Sequence, residues 1–95
     1  MLHDVYLIQR QQGGRIRLVG HASQSSAGGN PTEQSQLNYR LSLARANAVA
    51  QALLNMGASR SALTVAAAGS ANPAYAETTP AGEAGNRRVD VFLDR

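Results

Sequence analysis

Apolar residues recur every three to four positions between residues 38 and 56, in the stretch NYRLSLARANAVAQALLNM. This spacing predicts an amphipathic helix, because side chains three and four residues apart share one helix face. The predicted apolar face consists of Leu41, Val49, Ala52, Leu53 and Met56. Asn38 is suited to cap the start of the helix, and Gly57 is suited to end it in the left-handed conformation.

Shorter patterns predict the other elements. Residues 1–12 place apolar side chains on one side of a short helix that ends at a pair of glycines. Alternating or short apolar runs predict three strands, at residues 15–20, 63–67 and 89–93. Two polar stretches rich in Ser, Gly, Asn and Pro, at residues 22–37 and 70–88, are predicted to be long loops.

The order of these elements indicates an α/β (α+β) fold. One domain spanning residues 1–95 is expected, a two-layer sandwich in which helices pack on one side of a small sheet. The pattern is of the βαβαβ type, and Met1 begins too late to supply its first strand. We therefore expect an open sheet edge and a possible homodimer formed through it.

One charged residue, Arg45, interrupts the apolar face of the predicted helix. Two interpretations are open from the residues alone. The arginine stem can pack on the apolar face while its guanidinium reaches water. Alternatively, the guanidinium is held for a ligand, because its donors match a carboxylate two at a time.

Composition excludes several kinds of protein. The chain has a net charge of +3 and only four aromatic residues, which argues against nucleic-acid binding. It has no cysteine, and its two histidines lack metal-ligand spacing, so no metal or cofactor is expected. No G-x-S-x-G motif is present, and no arrangement fixes a base on a nucleophile, so we do not expect an enzyme. No apolar run is long enough for this segment to insert into a membrane.

Three motifs resemble, in order and spacing, those of the OmpA-like C-terminal domain family. LVGHAS at residues 18–23 matches the G-H turn that follows a strand in that family. NYRLSLARANAV at residues 38–49 matches every fixed position of the helix motif N-x-x-L-S-x-x-R-A-x-x-V. Residues 86–88 match the N-R-R that precedes the last strand. The resemblance extends from Ile16 to Leu93, which is nearly the whole chain.

The resemblance implies non-covalent binding of peptidoglycan in the Gram-negative periplasm. The implied ligand is the diaminopimelate of the stem peptide, which carries an ammonium and a carboxylate on one carbon. Arg45 is implied to hold the carboxylate, with Arg87 lining the same neighbourhood and Asn38 included through the helix motif. The parent protein is implied to be a lipoprotein or another envelope protein attached to the outer membrane, which this domain anchors to the cell wall.

The chain departs from the family pattern at the residue that should hold the ammonium. The family has an aspartate where this chain has Ser23. Loss of one charge-assisted hydrogen bond lowers affinity on the order of ten- to a hundredfold. Glu33 is the single acid in the stretch between Ser23 and Asn38, which is longer than the family's usual loop. Either Glu33 replaces the aspartate, or the domain binds another ligand, or it is an interaction module that has lost diaminopimelate binding.

Two further residues have expected structural roles. His21 is expected to bond through its ring to nearby backbone in the turn. Arg88 alternates onto the same strand face as Asp90 and is expected either to pair with Asp90 or Glu83 or to contribute to the ligand site.

Overall fold

The computed structural model describes residues 2–23, 30–71, 74–75 and 79–94 of the chain. The elements within these residues are α1 (Leu2–Gln12), β1 (Arg15–Gly20), α2 (Pro31–Met56), a single 3-10 turn (Arg60–Ala62), β2 (Leu63–Ala67), α3 (Pro80–Asn86) and β3 (Val89–Asp94). The predicted first helix and all three predicted strands are confirmed, with bounds that differ by at most one residue.

The three described strands form one mixed sheet in the order β2-β1-β3. The central strand β1 pairs in parallel with β2, from Ile16 opposite Leu63 to Gly20 opposite Ala67. It pairs antiparallel with β3, where Leu18 lies opposite Val91. The predicted mixture of helices and sheet is therefore confirmed.

The core lies between the sheet and the two longer helices. Ile16 and Leu18 of β1 and Leu53 of α2 have no exposed surface. Each such side chain contributes about 1.5–3 kcal/mol through burial. Leu2, Val5 and Tyr6 of α1, together with Val89 and Val91 of β3, pack partly buried against this cluster. The alternation in β1 and β3 therefore directs Ile16, Leu18, Val89 and Val91 to the helix side of the sheet.

The start of α2 differs from the prediction. The helix begins at Pro31, and its N-cap is Asn30, whose side-chain oxygen accepts a 2.9 Å hydrogen bond from the backbone N–H of Glu33. Asn38 is instead inside the helix, so its prediction as N-cap is wrong. The loop predicted at residues 22–37 is helical from Pro31 onward, and residues 24–29 lie outside the described part. Asn30 followed by proline at the first helical position provides the stronger start signal.

The buried face of α2 also differs from the prediction. Leu53 is fully buried and Val49 packs against the core, as predicted, but Met56 is 37% exposed. The buried residues of α2 are Asn38, Ser42, Ala46, Ala50 and Leu53. Most of these side chains are small, because the helix approaches the sheet too closely for large ones. The face is therefore set by small residues rather than by the most hydrophobic ones.

A short helix occupies part of the second predicted loop. Within residues 70–88, α3 covers Pro80–Asn86, and its N-cap Thr79 accepts a 3.0 Å hydrogen bond from the N–H of Gly82. Residues 72–73 and 76–78 of that stretch lie outside the described part. The T-P start repeats the cap-then-proline pattern of α2.

None of the described helices is apolar over a length sufficient to cross a membrane, including the 26-residue α2.

Candidate functional site

The site is built where the end of β1 touches the middle of α2, and glycine makes this approach possible. A Cβ atom added to Gly20 would lie 1.8 Å from the backbone oxygen of Ser42 and 3.2 Å from the Cβ of Ala46. Real Cβ atoms do not approach a backbone oxygen this closely, so position 20 requires a residue without a side chain. The close contact fixes where the residues after Gly20 lie relative to α2.

Ser42 joins α2 to the chain that leaves β2. Its hydroxyl accepts a 3.0 Å hydrogen bond from the N–H of Gly69 and donates one of 2.8 Å to the backbone oxygen of Tyr39. The backbone oxygen of Gly69 in turn accepts a 2.8 Å hydrogen bond from the N–H of Ala22. The segments after β1 and β2 are thus held together against the same stretch of helix.

Arg45 lies at the border of the buried face of α2, next to the fully buried Ala46. Its side chain is partly buried, and its Nη1 donates a 3.2 Å hydrogen bond to the backbone oxygen of His21. Among the described residues, no acid forms an ion pair with Arg45. The helix turns the guanidinium toward the G-H turn, where a carbonyl oxygen is available as acceptor.

His21 links Arg45 to a second charged group. Its ring is 6% exposed, and its Nε2 lies 3.0 Å from Oδ2 of Asp90 on β3. The same carboxylate accepts hydrogen bonds from Nε (3.0 Å) and Nη2 (3.3 Å) of Arg88. The expectation that the His21 ring bonds to backbone is wrong, because the strand register places it beside an acid. The expected pairing of Arg88 with Asp90 is confirmed.

The asparagine of the N-R-R motif has a structural role. Asn86 is fully buried, and its Oδ1 accepts hydrogen bonds of 2.9 Å from the N–H groups of both Ala74 and Tyr75. Its Nδ2 donates a 2.8 Å bond to the backbone oxygen of Tyr75. One side chain thereby fixes the segment around residues 74–75 to the end of α3. In the sequence, this role is signalled only by the presence of an asparagine between a helix and a strand.

Two other predicted site residues are buried. Ser23 follows His21 by two residues and has no exposed surface. Asn38 is 2% exposed, and its Nδ2 donates a 3.4 Å hydrogen bond to the Ser70 hydroxyl. Among the described residues, the Asn38 Oδ1 atom is buried without a hydrogen-bond partner.

The other two predicted site residues are exposed. Arg87 directly precedes Arg88, whose backbone oxygen accepts a 2.7 Å hydrogen bond from the N–H of His21. Arg87 therefore lies at the same end of the sheet as His21. Glu33 is in the first turn of α2, roughly 18 Å along the helix axis from Arg45 at 1.5 Å per residue. Glu33 is therefore not a carboxylate beside Arg45, and it does not replace the missing aspartate there.

The fold and the site define a small α+β domain. An arginine on its long helix donates to the backbone of the G-H turn, and the glycine of that turn allows the strand to approach the helix closely. The OmpA family model matches residues 2–87, so the chain belongs to the OmpA family. The probable lipoprotein YiaD of Escherichia coli (strain K12) is 37% identical over 78 residues, which cover 82% of this chain and 32% of that protein. The chain thus spans about a third of the length of this relative.

Solved structures show the same fold. The cell wall anchor of the T6SS from Pseudomonas aeruginosa superimposes with a TM-score of 0.78 at 25% identity, covering 98% of this chain and 63% of that chain. The peptidoglycan-associated lipoprotein from Burkholderia pseudomallei superimposes with a TM-score of 0.83 at 23% identity, covering 98% and 74%. The resemblance inferred from the motifs is confirmed at the level of family and fold.

Proposed function

We propose that this chain binds peptidoglycan without covalent chemistry and anchors an envelope protein to the cell wall. The observation that carries the proposal is the position of Arg45. Its guanidinium is partly buried and oriented by one hydrogen bond to the His21 carbonyl. A guanidinium has five N–H donors, so one such bond to the described residues still permits a carboxylate to bind in the bidentate manner.

The names of two structural relatives support this proposal. One is a cell wall anchor, and the other is a peptidoglycan-associated lipoprotein. Both cover nearly all of this chain, so the likeness includes the region around β1 and α2.

The proposed location is the periplasm, with attachment to the outer membrane through the parent protein. We also propose that residues 1–95 form a single domain.

The proposed ligand group is the diaminopimelate of the stem peptide, held mainly by its carboxylate. Arg45 binds the carboxylate directly. Arg87, which lies near His21, adds a positive field at that end of the sheet. Asn38, on the same helix and two turns before Arg45, is the third proposed binding residue.

The ammonium of diaminopimelate is held more weakly than in relatives that have the aspartate. Ser23, which replaces the aspartate, is neutral and fully enclosed. Glu33 is too far along the helix to substitute for it. Among the described residues, Asp90 is the acid connected to Arg45 through His21, and its carboxylate already contacts Arg88. The proposed site is therefore richer in positive than in negative charge.

A second candidate function follows from the same substitution. Without an anion for the ammonium, the domain is an interaction module that keeps the fold and has lost diaminopimelate binding. The neutral, enclosed Ser23 is the observation that favours this alternative.

Co-sedimentation with purified sacculi separates the two functions. The peptidoglycan-binding proposal predicts that the protein pellets with sacculi and that free diaminopimelate releases it. If the protein pellets but free diaminopimelate does not release it, peptidoglycan is bound by another group. If the protein stays in the supernatant at every sacculus concentration, the interaction-module alternative is correct.

A further inference from the structure

Tyr75 is the most exposed large apolar side chain in the described part of the chain, at 57%. Two of the other aromatic residues are already engaged within the protein. Tyr6 packs against the core, and the guanidinium of Arg17 lies 4.2 Å from the centre of the Phe92 ring. Tyr39 is exposed to a similar degree as Tyr75, at 52%. What distinguishes Tyr75 is the way in which the protein holds it.

The backbone of Tyr75 is fixed on both sides of its Cα atom by the side chain of Asn86. The Oδ1 atom of Asn86 accepts a 2.9 Å hydrogen bond from the N–H of Tyr75, and its Nδ2 donates a 2.8 Å bond to the backbone oxygen of Tyr75. Asn86 is fully buried, so water does not compete for these bonds. A ring on a fixed backbone loses little conformational entropy when a ligand contacts it.

The ring of Tyr75 lies flat over Gly85 of α3. A Cβ atom added to Gly85 would lie 2.7 Å from Cδ2 of the ring, 3.0 Å from Cε2 and 3.1 Å from Cγ. These similar distances place the added atom above the plane of the ring, because an atom beside the ring edge would lie much farther from two of the three. One face of the ring therefore packs on the backbone, and the exposed surface lies mainly on the opposite face. We call this surface, Tyr75 on Gly85, the tyrosine platform.

A series of direct contacts connects the tyrosine platform to Arg45. The Oδ1 atom of Asn86 lies 3.5 Å from Nη1 of Arg88. Arg88 pairs with Asp90, whose carboxylate lies 3.0 Å from the ring of His21. The backbone oxygen of His21 accepts the hydrogen bond from Arg45. A polymer that occupies the Arg45 site therefore has the tyrosine platform in its surroundings.

We infer that the tyrosine platform binds a sugar ring of the peptidoglycan glycan strand. Peptidoglycan is a polymer of N-acetylated amino sugars that carry short peptides, so the inference rests on the proposed function. The C–H bonds on one side of a sugar ring carry partial positive charge, and the face of an aromatic ring carries partial negative charge. A flat and open aromatic face thus matches the flat side of a sugar.

The neighbouring charges favour a neutral sugar over a cation at this face. An aromatic face also attracts cations. However, Arg87 and Arg88 follow Asn86 directly in the sequence, and their positive charge disfavours an ammonium in this part of the protein. Sugar and stem peptide belong to one polymer, so binding of the peptide at Arg45 raises the local concentration of sugar at the tyrosine platform.

Tryptophan substitution tests the inference, because the chain has no tryptophan of its own. Tyr75→Trp keeps an aromatic face and adds a fluorescent reporter. Phe92→Trp places the same reporter where Arg17 covers the ring. Titration with a soluble N-acetylglucosamine oligomer is expected to change the emission of Tyr75→Trp saturably and to leave that of Phe92→Trp unchanged. Equal responses of the two variants, or no response from either, overturn the inference.

Co-sedimentation with sacculi provides the second readout. Tyr75→Leu removes the ring and keeps the backbone groups that bind Asn86. We expect it to bind sacculi roughly three- to tenfold more weakly than the parent, the range for one aromatic contact. Phe92→Leu makes the same replacement outside the tyrosine platform and is expected to bind like the parent. Equal binding by Tyr75→Leu and the parent overturns the inference.

Arg45→Ala separates this inference from the proposed function. The oligomer carries no stem peptide, so Tyr75→Trp combined with Arg45→Ala is expected to respond to it like Tyr75→Trp alone. If binding to sacculi depends on Arg45 but not on Tyr75, the inference alone fails. If binding to sacculi does not depend on Arg45, the proposed function fails, and the oligomer titration still decides the inference.

Discussion

The guanidinium of Arg45 donates to the backbone oxygen of His21 at 3.2 Å, and the ring of His21 lies 3.0 Å from the carboxylate of Asp90. His21, which follows the central strand β1, thus lies between Arg45 on α2 and Asp90 on β3. The arginine is oriented by a neutral carbonyl, and no acid in the described part of the chain neutralises it. This arrangement leaves its charge available to an anionic ligand.

Substitution of Gly20 tests the contact on which this arrangement depends. Gly20→Ala places a methyl group against the backbone oxygen of Ser42, which no side-chain rotation relieves. We expect a loss of about 3 kcal/mol in the free energy of unfolding, at the upper end of the usual range for overpacking. Urea denaturation measures this loss.

Gly85→Ala is the matched control. The added methyl group there meets the ring of Tyr75, a side chain that is 57% exposed, so a side chain and not the backbone has to move. A loss below about 1 kcal/mol is expected for this variant. Equal losses for Gly20→Ala and Gly85→Ala contradict the close contact between β1 and α2.

Removal of the Asn86 side chain tests the anchoring of the segment at residues 74–75. Asn86→Ala deletes four hydrogen bonds, three of them to the backbone of Ala74 and Tyr75, and leaves those two N–H groups without the acceptor they share. We expect a loss of about 2–4 kcal/mol, from the usual penalty for buried groups left unpaired. Thermal unfolding followed by circular dichroism gives the difference.

Asn55→Ala provides a comparison for Asn86→Ala. Asn55 accepts a 3.0 Å hydrogen bond from Gln51 on an exposed face of α2. Such a pair contributes about 0.2–0.5 kcal/mol, so only a small loss is expected. If Asn86→Ala is as stable as Asn55→Ala, the buried amide does not hold that segment.

A charge introduced at Ser23 tests the proposed cause of weak ammonium binding. Ser23→Asp supplies the anion that pairs with the ammonium of diaminopimelate, and affinity is expected to rise roughly ten- to a hundredfold. An analogue without the ammonium is expected to gain nothing. Isothermal titration calorimetry with both ligands measures the difference.

The neutral variant Ser23→Asn controls for the size of the new side chain. Position 23 is fully buried, so a melting curve of each variant shows whether the fold tolerates the change. If folded Ser23→Asp discriminates between the two ligands no better than Ser23→Asn, the turn does not lie beside the ammonium.

The strands and the first helix were predictable because local pattern determines them. Ile16 and Leu18 alternate with arginines. In the structure Ile16 and Leu18 are completely buried, and Arg15 is exposed. The start of α2 was missed for a different reason. Asn38 has the chemistry of a cap, and only the Asn30–Pro31 pair further upstream indicates the true start.

The contacts of the site were less predictable because they depend on tertiary packing. The His21–Asp90 contact joins residues far apart in sequence, and the register between β1 and β3 creates it. The buried face of α2 follows from the close approach at Gly20, which hydrophobic periodicity does not report. The motif positions single out Arg45, whereas its contact with the His21 carbonyl depends on the fold and was not predictable from the sequence.

The most direct measurement of the central claim is sacculus co-sedimentation with two arginine variants of the same helix. Arg45→Ala removes the proposed carboxylate ligand and keeps a residue that favours helix. Arg40→Ala removes an equal charge from an exposed position on α2. We predict that Arg45→Ala loses at least tenfold in binding to sacculi while Arg40→Ala binds like the parent. Equal binding by Arg45→Ala and the parent protein would contradict the assignment of the site.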